Sequence, residues 1–359
     1  MKKVLFYIPS LSPAGGIERV LSTIANKLSD NYDVTILTKD GYDPFYTLSK
    51  SVKLRSLNIP LVLDMNSKFK RIISYGINTI ASIRKLRSFF CSDEVYDYIY
   101  ITHPTSHLEL ICANVDFNKI VISEHGAASN YNVVYRAIKN LTYRRCHAYC
   151  VPTKMDFELY RKYGYPVVYT PHYKPILKYK TVDFNSRVVL NIGRFTPDKN
   201  QLELIRIWAS ISEEIREGWV LKIIGTGELV QELQNFIVSN GLSSSILIEP
   251  PMKNVEDVYA SASIFALTSR SEGFGMVLLE AAGFGLPLIA FNCPSGPRDI
   301  INNENGYLIP EGNIQLYKER LSQMMMDSEL KMRLGIGAKH FSDGWSDDYI
   351  TEIWRRVFS

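Results

Sequence analysis

Residues 187–200 read RVVLNIGRFTPDKN, a short apolar run that ends at a glycine and is followed by a polar turn. The run has the length and composition of a strand buried on both faces of a parallel sheet. Similar runs, each followed by a helical pattern, recur at residues 220–224, 264–268 and 288–291. This alternation predicts a parallel sheet covered by helices.

The first half of the chain repeats the same alternation. Strands are predicted at residues 4–8, 34–38, 96–102 and 119–123. The pattern stops near Pro171 and Pro175, which are typical of an interdomain linker. The sequence therefore predicts an α/β protein with two Rossmann-like, doubly wound domains, residues 1–172 and 173–344, facing a central cleft. Ligands in such sheets bind beyond the carboxyl ends of the strands.

Length and composition agree with two globular domains. The chain has 359 residues, of which 46% are hydrophobic and 22% are charged. The first residues lack the features of a signal peptide, and no window approaches the roughly 20 apolar residues of a membrane span. The five cysteines have no C-x-x-C spacing, which favours reduced thiols over a metal site or disulfides. These features predict a cytoplasmic protein.

The charge is unevenly distributed. Residues 1–170 contain 22 Lys and Arg against 14 Asp and Glu, a balance of +8, and residues 171–359 contain 19 against 23, a balance of −4. A basic first half suggests a surface that faces an anionic partner. We expect no nucleic-acid partner, because the overall pI of about 8.6 is modest and no recognisable binding motif accompanies the basic segments.

Two basic stretches contribute most to this asymmetry. Residues 68–90 combine apolar residues at helical spacing with six cations, and residues 136–145 contain four cations. A basic amphipathic helix can lie in the interface of an anionic membrane. The alternative is that its apolar side packs on the domain's own sheet while the cations are solvated.

Three turns have the composition of anion-binding sites. Gly15 and Gly16 separate a strand from a helix, where backbone N–H groups can approach a ligand. Gly193, Arg194 and Lys199 follow the strand quoted above, and an Arg with a Lys can bind phosphate oxygens. In each case the alternative is a tight turn or a pair of solvated cations. A further strand ends in a Gly-Thr-Gly turn that contains Gly227.

The third turn lies at residues 271–281, SEGFGMVLLEA. Glu272 precedes a Gly-Phe-Gly turn, and Glu280 follows inside an otherwise apolar helix. A carboxylate among apolar residues is costly unless it is hydrogen-bonded or lies at a cleft. The turn Gly273-Phe274-Gly275 can expose backbone donors at the start of that helix.

These motifs resemble the family 4 retaining glycosyltransferases, which have the GT-B fold. The resemblance rests on Gly-Arg-x4-Lys, on Glu-Gly-Phe-Gly with a second Glu eight residues after the first, on Gly15-Gly16, and on residues 294–301. It runs from about residue 3 to the last helix and is weakest between residues 40 and 115. It is greatest with bacterial enzymes that build surface polysaccharides or lipid-linked oligosaccharides. The C-terminal helix, residues 345–359, is expected to pack back on the first domain.

The resemblance implies a role for each matching residue. Arg194 and Lys199 would hold the diphosphate of a nucleotide-sugar donor. Glu272 would bind sugar hydroxyls, and Glu280 would accept from the ribose hydroxyls. The remaining donor-binding positions are Gly15, Gly16, Gly193, Gly227, Met252, Gly273, Phe274 and Gly275.

His125 matches the family's histidine after a strand of the first domain, near the donor sugar and the attacking site. The alternative is a structural histidine inside the core. His103 and His107 are weaker candidates.

The resemblance implies transfer of a hexose or N-acetylhexosamine from a nucleotide sugar, with UDP as the expected nucleotide. The sugar would be transferred with retention of configuration. The acceptor would be a glycan or a lipid-linked molecule at the inner membrane face. Cleavage leaves negative charge on the diphosphate, which must be neutralised. No Asp-x-Asp motif is placed as a metal site, so the cations and helix N-termini are expected to replace a metal, with no cofactor. The alternatives are a UDP-sugar 2-epimerase, which needs no acceptor, and an inactive scaffolding subunit.

Overall fold

The computed structural model describes residues 1–13, 15–59, 68–91, 94–126, 133–252 and 254–359. In the helices that begin at Lys68 and Val133, the side chains of residues 68–73, 75 and 134 lie outside this description. The chain divides into two compact units, Met1–Tyr173 with Asp347–Ser359, and Lys174–Ser346.

The first unit is built on a seven-stranded parallel sheet in the order β3-β2-β1-β4-β5-β6-β7. The strands are β1 (Lys3–Ile8), β2 (Asp33–Thr38), β3 (Lys53–Ser56), β4 (Tyr98–Ile101), β5 (Ile120–Ser123), β6 (Ala148–Val151) and β7 (Val167–Tyr169). The helices are α1 (Gly16–Leu28), α2 (Lys68–Phe90), α3 (Pro104–Cys112), α4 (Val133–Thr142), α5 (Lys154–Lys162) and, at the end of the chain, α14 (Asp347–Val357). The central strands β4, β5 and β6 are buried along their whole length, as expected of strands covered by helices on both faces.

Helix α14 belongs to the first unit. Lys27 of α1 forms an ion pair with Asp347, 3.0 Å between the charged atoms. The buried ring of Trp354 lies 5.8 Å from that of Tyr100, and the carbonyl of Val357 lies 2.9 Å from Nε2 of His147. An amphipathic helix thus adds its apolar face to the core of this unit.

The second unit contains a six-stranded parallel sheet in the order β10-β9-β8-β11-β12-β13. The strands are β8 (Val188–Ile192), β9 (Val220–Ile224), β10 (Ile246–Glu249), β11 (Ile264–Leu267), β12 (Leu288–Phe291) and β13 (Gly306–Ile309). The helices are α6 (Gln201–Ser210), α7 (Glu213–Arg216), α8 (Val230–Ser239), α9 (Glu256–Ala260), α10 (Met276–Phe284), α11 (Pro297–Ile300), α12 (Ile314–Met326) and α13 (Ser328–Asp343). Buried clusters lie on both faces of the sheet. The prediction of two doubly wound, Rossmann-like domains is confirmed.

The basic stretches differ in part from their prediction. In α2, Leu86 is buried, but Ile77 and Ile80 are exposed, so the apolar side is not wholly packed on the sheet. The side chains of Phe69, Ile72 and Ile73, and of the cations Lys68, Lys70 and Arg71, lie outside the described residues. In α4, Lys139 is buried, so only three of the four cations of residues 136–145 can contribute to a basic surface.

Candidate functional site

The order of the second sheet reverses at β8. The chain runs outward from β8 to β9 and β10 and then crosses to β11 on the other side. Doubly wound sheets bind ligands at the carboxyl ends of the strands where the order reverses. The loops at residues 193–200 and 268–275, which carry most of the predicted donor-site residues, leave from these two strand ends.

Lys199 and Glu272 meet at this point. The ammonium of Lys199 lies 2.8 Å from Oε2 of Glu272, and the hydroxyl of Ser269 donates to Oε1 of the same carboxylate at 2.6 Å. Glu272 is buried, and Lys199 is half-buried. The fold thus brings together a predicted phosphate ligand and a predicted sugar ligand.

Hydrogen bonds to backbone carbonyls join the two loops and stabilise the first of them. The N–H of Arg270 donates to the carbonyl of Asp198 at 2.8 Å, and the hydroxyl of Thr268 donates to the carbonyl of Asn200 at 3.0 Å. Nε2 of Gln201 donates to the carbonyl of Arg194 at 2.9 Å. Arg194 itself is exposed, so its guanidinium is accessible to an anion.

Glycines permit the close packing of the loop after β9 against the loop after β8. A Cβ at Gly227 would lie 2.4 Å from the carbonyl oxygen of Phe195, and one at Gly225 would lie 1.9 Å from that of Gly193. Gly225 and Gly227 therefore have a packing role. The contact of Gly193 and Gly227 with a donor remains a prediction.

The Gly-Phe-Gly turn begins helix α10. Gly275 is the N-cap residue with φ of +85°, in the left-handed region that favours glycine, and no side chain caps the helix from that position. Phe274 is buried, with its ring 5.8 Å from that of Trp345. A Cβ at Gly296 would lie 2.0 Å from the carbonyl oxygen of Phe274. The segment around Gly296 thus supports the turn that carries Gly273.

Glu280 is buried inside α10, as the sequence predicts, and it is hydrogen-bonded. The hydroxyl of Tyr259, on α9, donates to Oε2 of Glu280 at 2.7 Å. Tyr259 was not identified from the sequence, because no local pattern links it to a glutamate 21 residues later. Met252 is exposed in the loop after β10, at the edge of the sheet.

The order of the first sheet reverses between β1 and β4. Gly15 and Gly16 follow β1, and Gly15 is the N-cap residue of α1. The carboxylate of Glu18 folds back over Gly15, since a Cβ there would lie 2.0 Å from Oε2 of Glu18. Among the described residues, and apart from its chain neighbours and the backbone of α1, no heavy atom lies within 4 Å of the position a Cβ would take at Gly16.

His125 follows β5 and has aromatic neighbours. Its Nε2 lies 3.3 Å from the hydroxyl of Tyr100, and its ring stacks on that of His172, with 5.4 Å between centroids and 15° between planes. Burial lowers the pKa of His125 to about 4, although the nearby carboxylate of Glu124 opposes this shift. Burial also lowers the pKa of His172 well below its ordinary value, and His125 adds to the effect. Both imidazoles are therefore neutral near pH 7.

His172 was not identified as a candidate site residue from the sequence. The structure places it shortly after β7, a three-residue strand that was not predicted from the sequence. An apolar Val-Val-Tyr run before Thr-Pro-His was the available signal.

A buried ion pair supports the loop that carries His125. Oε1 of Glu124 accepts from the backbone N–H groups of His125 at 3.2 Å and Gly126 at 3.3 Å. Its Oε2 accepts from the ammonium of Lys139 and the hydroxyl of Tyr149, both at 2.6 Å. Both charges are thus desolvated and hydrogen-bonded, the condition under which a buried pair is tolerated.

The two weaker histidine candidates differ in position. His103 ends the segment after β4 and caps α3 by accepting from the N–H of Thr105 at 3.3 Å. His107 is fully buried, with Nδ1 3.1 Å from the hydroxyl of Thr142. His107 therefore belongs to the core, and His103 lies at the strand ends.

Comparison with known protein families matches almost the whole chain. The sequence model of Glycosyltransferase Family 4 matches residues 14–194, and that of Glycosyl transferases group 1 matches residues 177–341. The first model covers half of the chain.

Two curated relatives align over nearly their whole lengths. The amylovoran biosynthesis glycosyltransferase AmsD of Erwinia amylovora is 28% identical, with 100% of each chain covered. The GalNAc-alpha-(1->4)-GalNAc-alpha-(1->3)-diNAcBac-PP-undecaprenol alpha-1,4-N-acetyl-D-galactosaminyltransferase of Campylobacter jejuni is 26% identical, with 100% of this chain and 99% of the relative covered.

Solved structures confirm the GT-B fold. TarM of S. aureus, in a complex with Fondaparinux, alpha-GlcNAc-glycerol and UDP, superposes with a TM-score of 0.80 at 14% identity over 100% of both chains. HepE of Anabaena, in a complex with UDP and glucose, superposes with a TM-score of 0.75 at 17% identity, covering 99% of this chain and 98% of that one. Fold, motifs and family match agree, and the chain belongs to glycosyltransferase family 4.

Proposed function

We propose that this transferase moves a hexose or N-acetylhexosamine from a UDP-sugar to a glycan or lipid-linked acceptor during assembly of a bacterial surface polysaccharide, with retention of configuration. The observation that carries the proposal is the Lys199–Glu272 pair at the strand ends where the second sheet reverses. UDP is supported by its presence in the structures of TarM and HepE. The acceptor class is supported by the names of AmsD and the Campylobacter enzyme.

The second unit supplies charge for the leaving group. Breaking the sugar–phosphate bond places negative charge on the diphosphate, and a preorganised positive group at that place lowers the barrier. Lys199 and Arg194 supply full charges, and the N-terminus of α10 supplies backbone N–H groups. No three His, Cys, Asp or Glu side chains converge as metal ligands within the residues described, and we propose a metal-independent reaction.

The carboxylates bind the neutral parts of the donor. Glu272 accepts hydrogen bonds from the sugar hydroxyls, and Glu280 accepts from the ribose hydroxyls. Because Lys199 already contacts Glu272, a bound diphosphate competes with that carboxylate for the ammonium. The acceptor hydroxyl attacks from the side of the departing phosphate, which takes its proton, and retention follows.

His125 acts as a neutral group. Burial favours the uncharged imidazole, so it can accept or donate a hydrogen bond at the sugar without adding a charge. Tyr100 and His172 fix the ring, and Glu124 fixes the backbone that carries it.

An anionic membrane surface is the proposed site of action, at the inner face of the cell membrane. Ile77 and Ile80, 61% and 53% exposed, lie beside the exposed Arg84 on one face of α2. Lys85 and Arg87 donate to backbone carbonyls of the first unit, Lys85 to Asn58 at 2.9 Å and Arg87 to Cys112 at 2.7 Å. The lipid contact is therefore assigned to Ile77, Ile80 and Arg84. Among the described residues, no helix has the length and apolar character to cross a bilayer.

A donor screen tests the proposal. The protein is incubated with a panel of UDP-, GDP- and ADP-sugars, with and without a lipid-linked or lipopolysaccharide acceptor, and the free nucleotide is measured. We expect acceptor-dependent release of UDP and a product whose anomeric configuration, measured by NMR, matches the donor. An epimerase would instead convert the UDP-sugar without acceptor, and an inactive scaffold would bind no donor. The family match favours the transferase over both.

A further inference from the structure

The loop after β2, residues 39–49, exposes two aromatic side chains. Tyr42 is 52% exposed and Phe45 is 49% exposed. Single exposed apolar residues are common, but two exposed rings three residues apart in one loop, with an exposed polar residue between them in sequence, are typical of a binding surface. Asp43 lies between the two rings in sequence and is also exposed.

The backbone of this loop is anchored on both sides. The N–H of Phe45 donates to the carbonyl of Leu11, in the loop after β1, at 2.9 Å. The side chain of Asn26, on α1, donates to the carbonyl of Thr47 at 3.0 Å and accepts from the N–H of Ser49 at 2.7 Å. The rings are therefore presented by a fixed backbone, which lowers the entropy cost of binding a ligand.

The aromatic surface continues to the first turn of α1. The rings of Phe45 and Tyr46 meet edge to face at 5.1 Å, and the guanidinium of Arg19 lies 5.3 Å from the centroid of Tyr46. Ile17 is also exposed. Because β2 is the neighbour of β1, this surface adjoins the strand end where the first sheet reverses, the expected place for a ligand.

The chemistry of the surface matches a sugar ring. A pyranose has a face of C–H groups and a rim of hydroxyls. The face of an aromatic ring is apolar and carries negative electrostatic potential, so it attracts C–H groups. The carboxylate of Asp43, in the same loop, and the guanidinium of Arg19, over the ring of Tyr46, can bind hydroxyls. A surface for a protein partner would need far more apolar area than two rings provide.

We propose that Tyr42 and Phe45 form an acceptor subsite that stacks on a pyranose ring of the acceptor glycan, with Asp43 and Arg19 binding its hydroxyls. The assignment rests on the proposed function, because it names the part of this transferase that recognises the acceptor. It places the subsite wholly within the first unit.

Binding of simple pyranosides tests the subsite without knowledge of the natural acceptor. Saturation-transfer NMR with the methyl glycosides of glucose, galactose and N-acetylgalactosamine would be recorded on the wild-type chain and on Tyr42→Ala and Phe45→Ala. We expect at least one glycoside to bind the wild type, and each variant to weaken it by about fivefold or more, the scale of one lost aromatic contact. Tyr163→Ala is the matched control, because Tyr163 is 55% exposed in the same unit beyond the end of α5.

The outcomes separate this subsite from the proposed function. Donor binding and slow donor hydrolysis, measured with the UDP-sugar alone, should be unchanged in both variants. If no glycoside binds the wild type, or if the variants bind as the wild type does, the subsite is wrong even when donor hydrolysis is normal. If the glycosides bind at this loop but no nucleotide sugar is used, the loop is a pyranose-binding surface, and the proposed function and with it the acceptor assignment are wrong.

Discussion

Lys199 and Glu272 form an ion pair of 2.8 Å although 73 residues separate them in the sequence. The contact exists because β8 and β11 are neighbours in the sheet while their order along the chain is interrupted by β9 and β10. In the absence of donor, each charge stabilises the other. A diphosphate bound to Lys199 would therefore change the environment of Glu272, and in the proposed site this would couple phosphate binding to the carboxylate assigned to the sugar.

Removal of the cations at this site should abolish most of the activity. We expect Lys199→Ala and Arg194→Ala each to lower kcat by about a hundredfold, the scale of losing one electrostatic donor to the leaving group. Steady-state kinetics of nucleotide release measures this. Lys180→Ala is the control, because Lys180 pairs with Asp257 at an exposed position outside the proposed site. Near-normal kinetics in both site variants would refute the assignment.

The reaction should tolerate chelation. If Lys199, Arg194 and the N-terminus of α10 neutralise the diphosphate, turnover in EDTA should equal turnover in Mg²⁺ buffer within experimental error. Nucleotide release before and after EDTA treatment measures this. Complete loss of activity, restored by Mg²⁺ or Mn²⁺, would show that a metal carries the charge instead.

His125 should remain neutral across the physiological range. Because its pKa is lowered to about 4, its protonated fraction stays small above about pH 5, whereas an ordinary histidine of pKa about 6.5 would titrate there. His172→Ala removes the stacked ring and admits water, so we expect the pKa of His125 to rise toward its ordinary value and activity at pH 5–6 to fall. An NMR titration of the histidine side chains, with the exposed His340→Ala as control, measures the shift. An unchanged His125 titration in His172→Ala would contradict this role.

The buried cation Lys139 should contribute strongly to stability. Lys139→Met leaves the carboxylate of Glu124 buried without its ion-pair partner, and we expect the free energy of unfolding to fall by about 3–5 kcal/mol. Denaturant unfolding measures this, with Lys162→Met at an exposed position of α5 as the control. Glu124→Gln in the Lys139→Met background removes the unpaired charge and should restore part of the loss. Equal stability of Lys139→Met and wild type would contradict the buried pair.

The exposed face of α2 formed by Ile77, Ile80 and Arg84 should bind anionic lipid. We expect the protein to co-sediment with vesicles that contain anionic lipid, but not with neutral vesicles, at low salt, and to dissociate at high salt. The triple variant Ile77→Ser, Ile80→Ser, Arg84→Ser should bind less and still bind donor. Val238→Ser, at an exposed apolar position of the second unit, is the control. Binding that ignores lipid charge and salt, or absence of vesicle binding, would contradict the membrane proposal.

Several features of the first unit could not be predicted from the sequence. The short strands β6 and β7 were not predicted, because three or four apolar residues do not distinguish a strand from a loop or helix end. His172 was missed with β7. Lys139 is one of the four cations of the basic stretch 136–145, but a helix places its residues on different sides, and this side chain faces the buried carboxylate of Glu124.

Local sequence patterns determined many of the strands of this fold and the motifs that carry its chemistry. Buried strands at residues 220–224 and 288–291 have the predicted bounds, and the motifs that carry the family resemblance can be read without a structure, since each is set by a few adjacent residues. The tertiary structure alone decided which loops meet. The pairing of Lys199 with Glu272, the stacking of His125 on His172 and the bond from Tyr259 to Glu280 all depend on strand order and helix packing. Those contacts join residues far apart along the chain, and their energies arise only when the two sheets have formed.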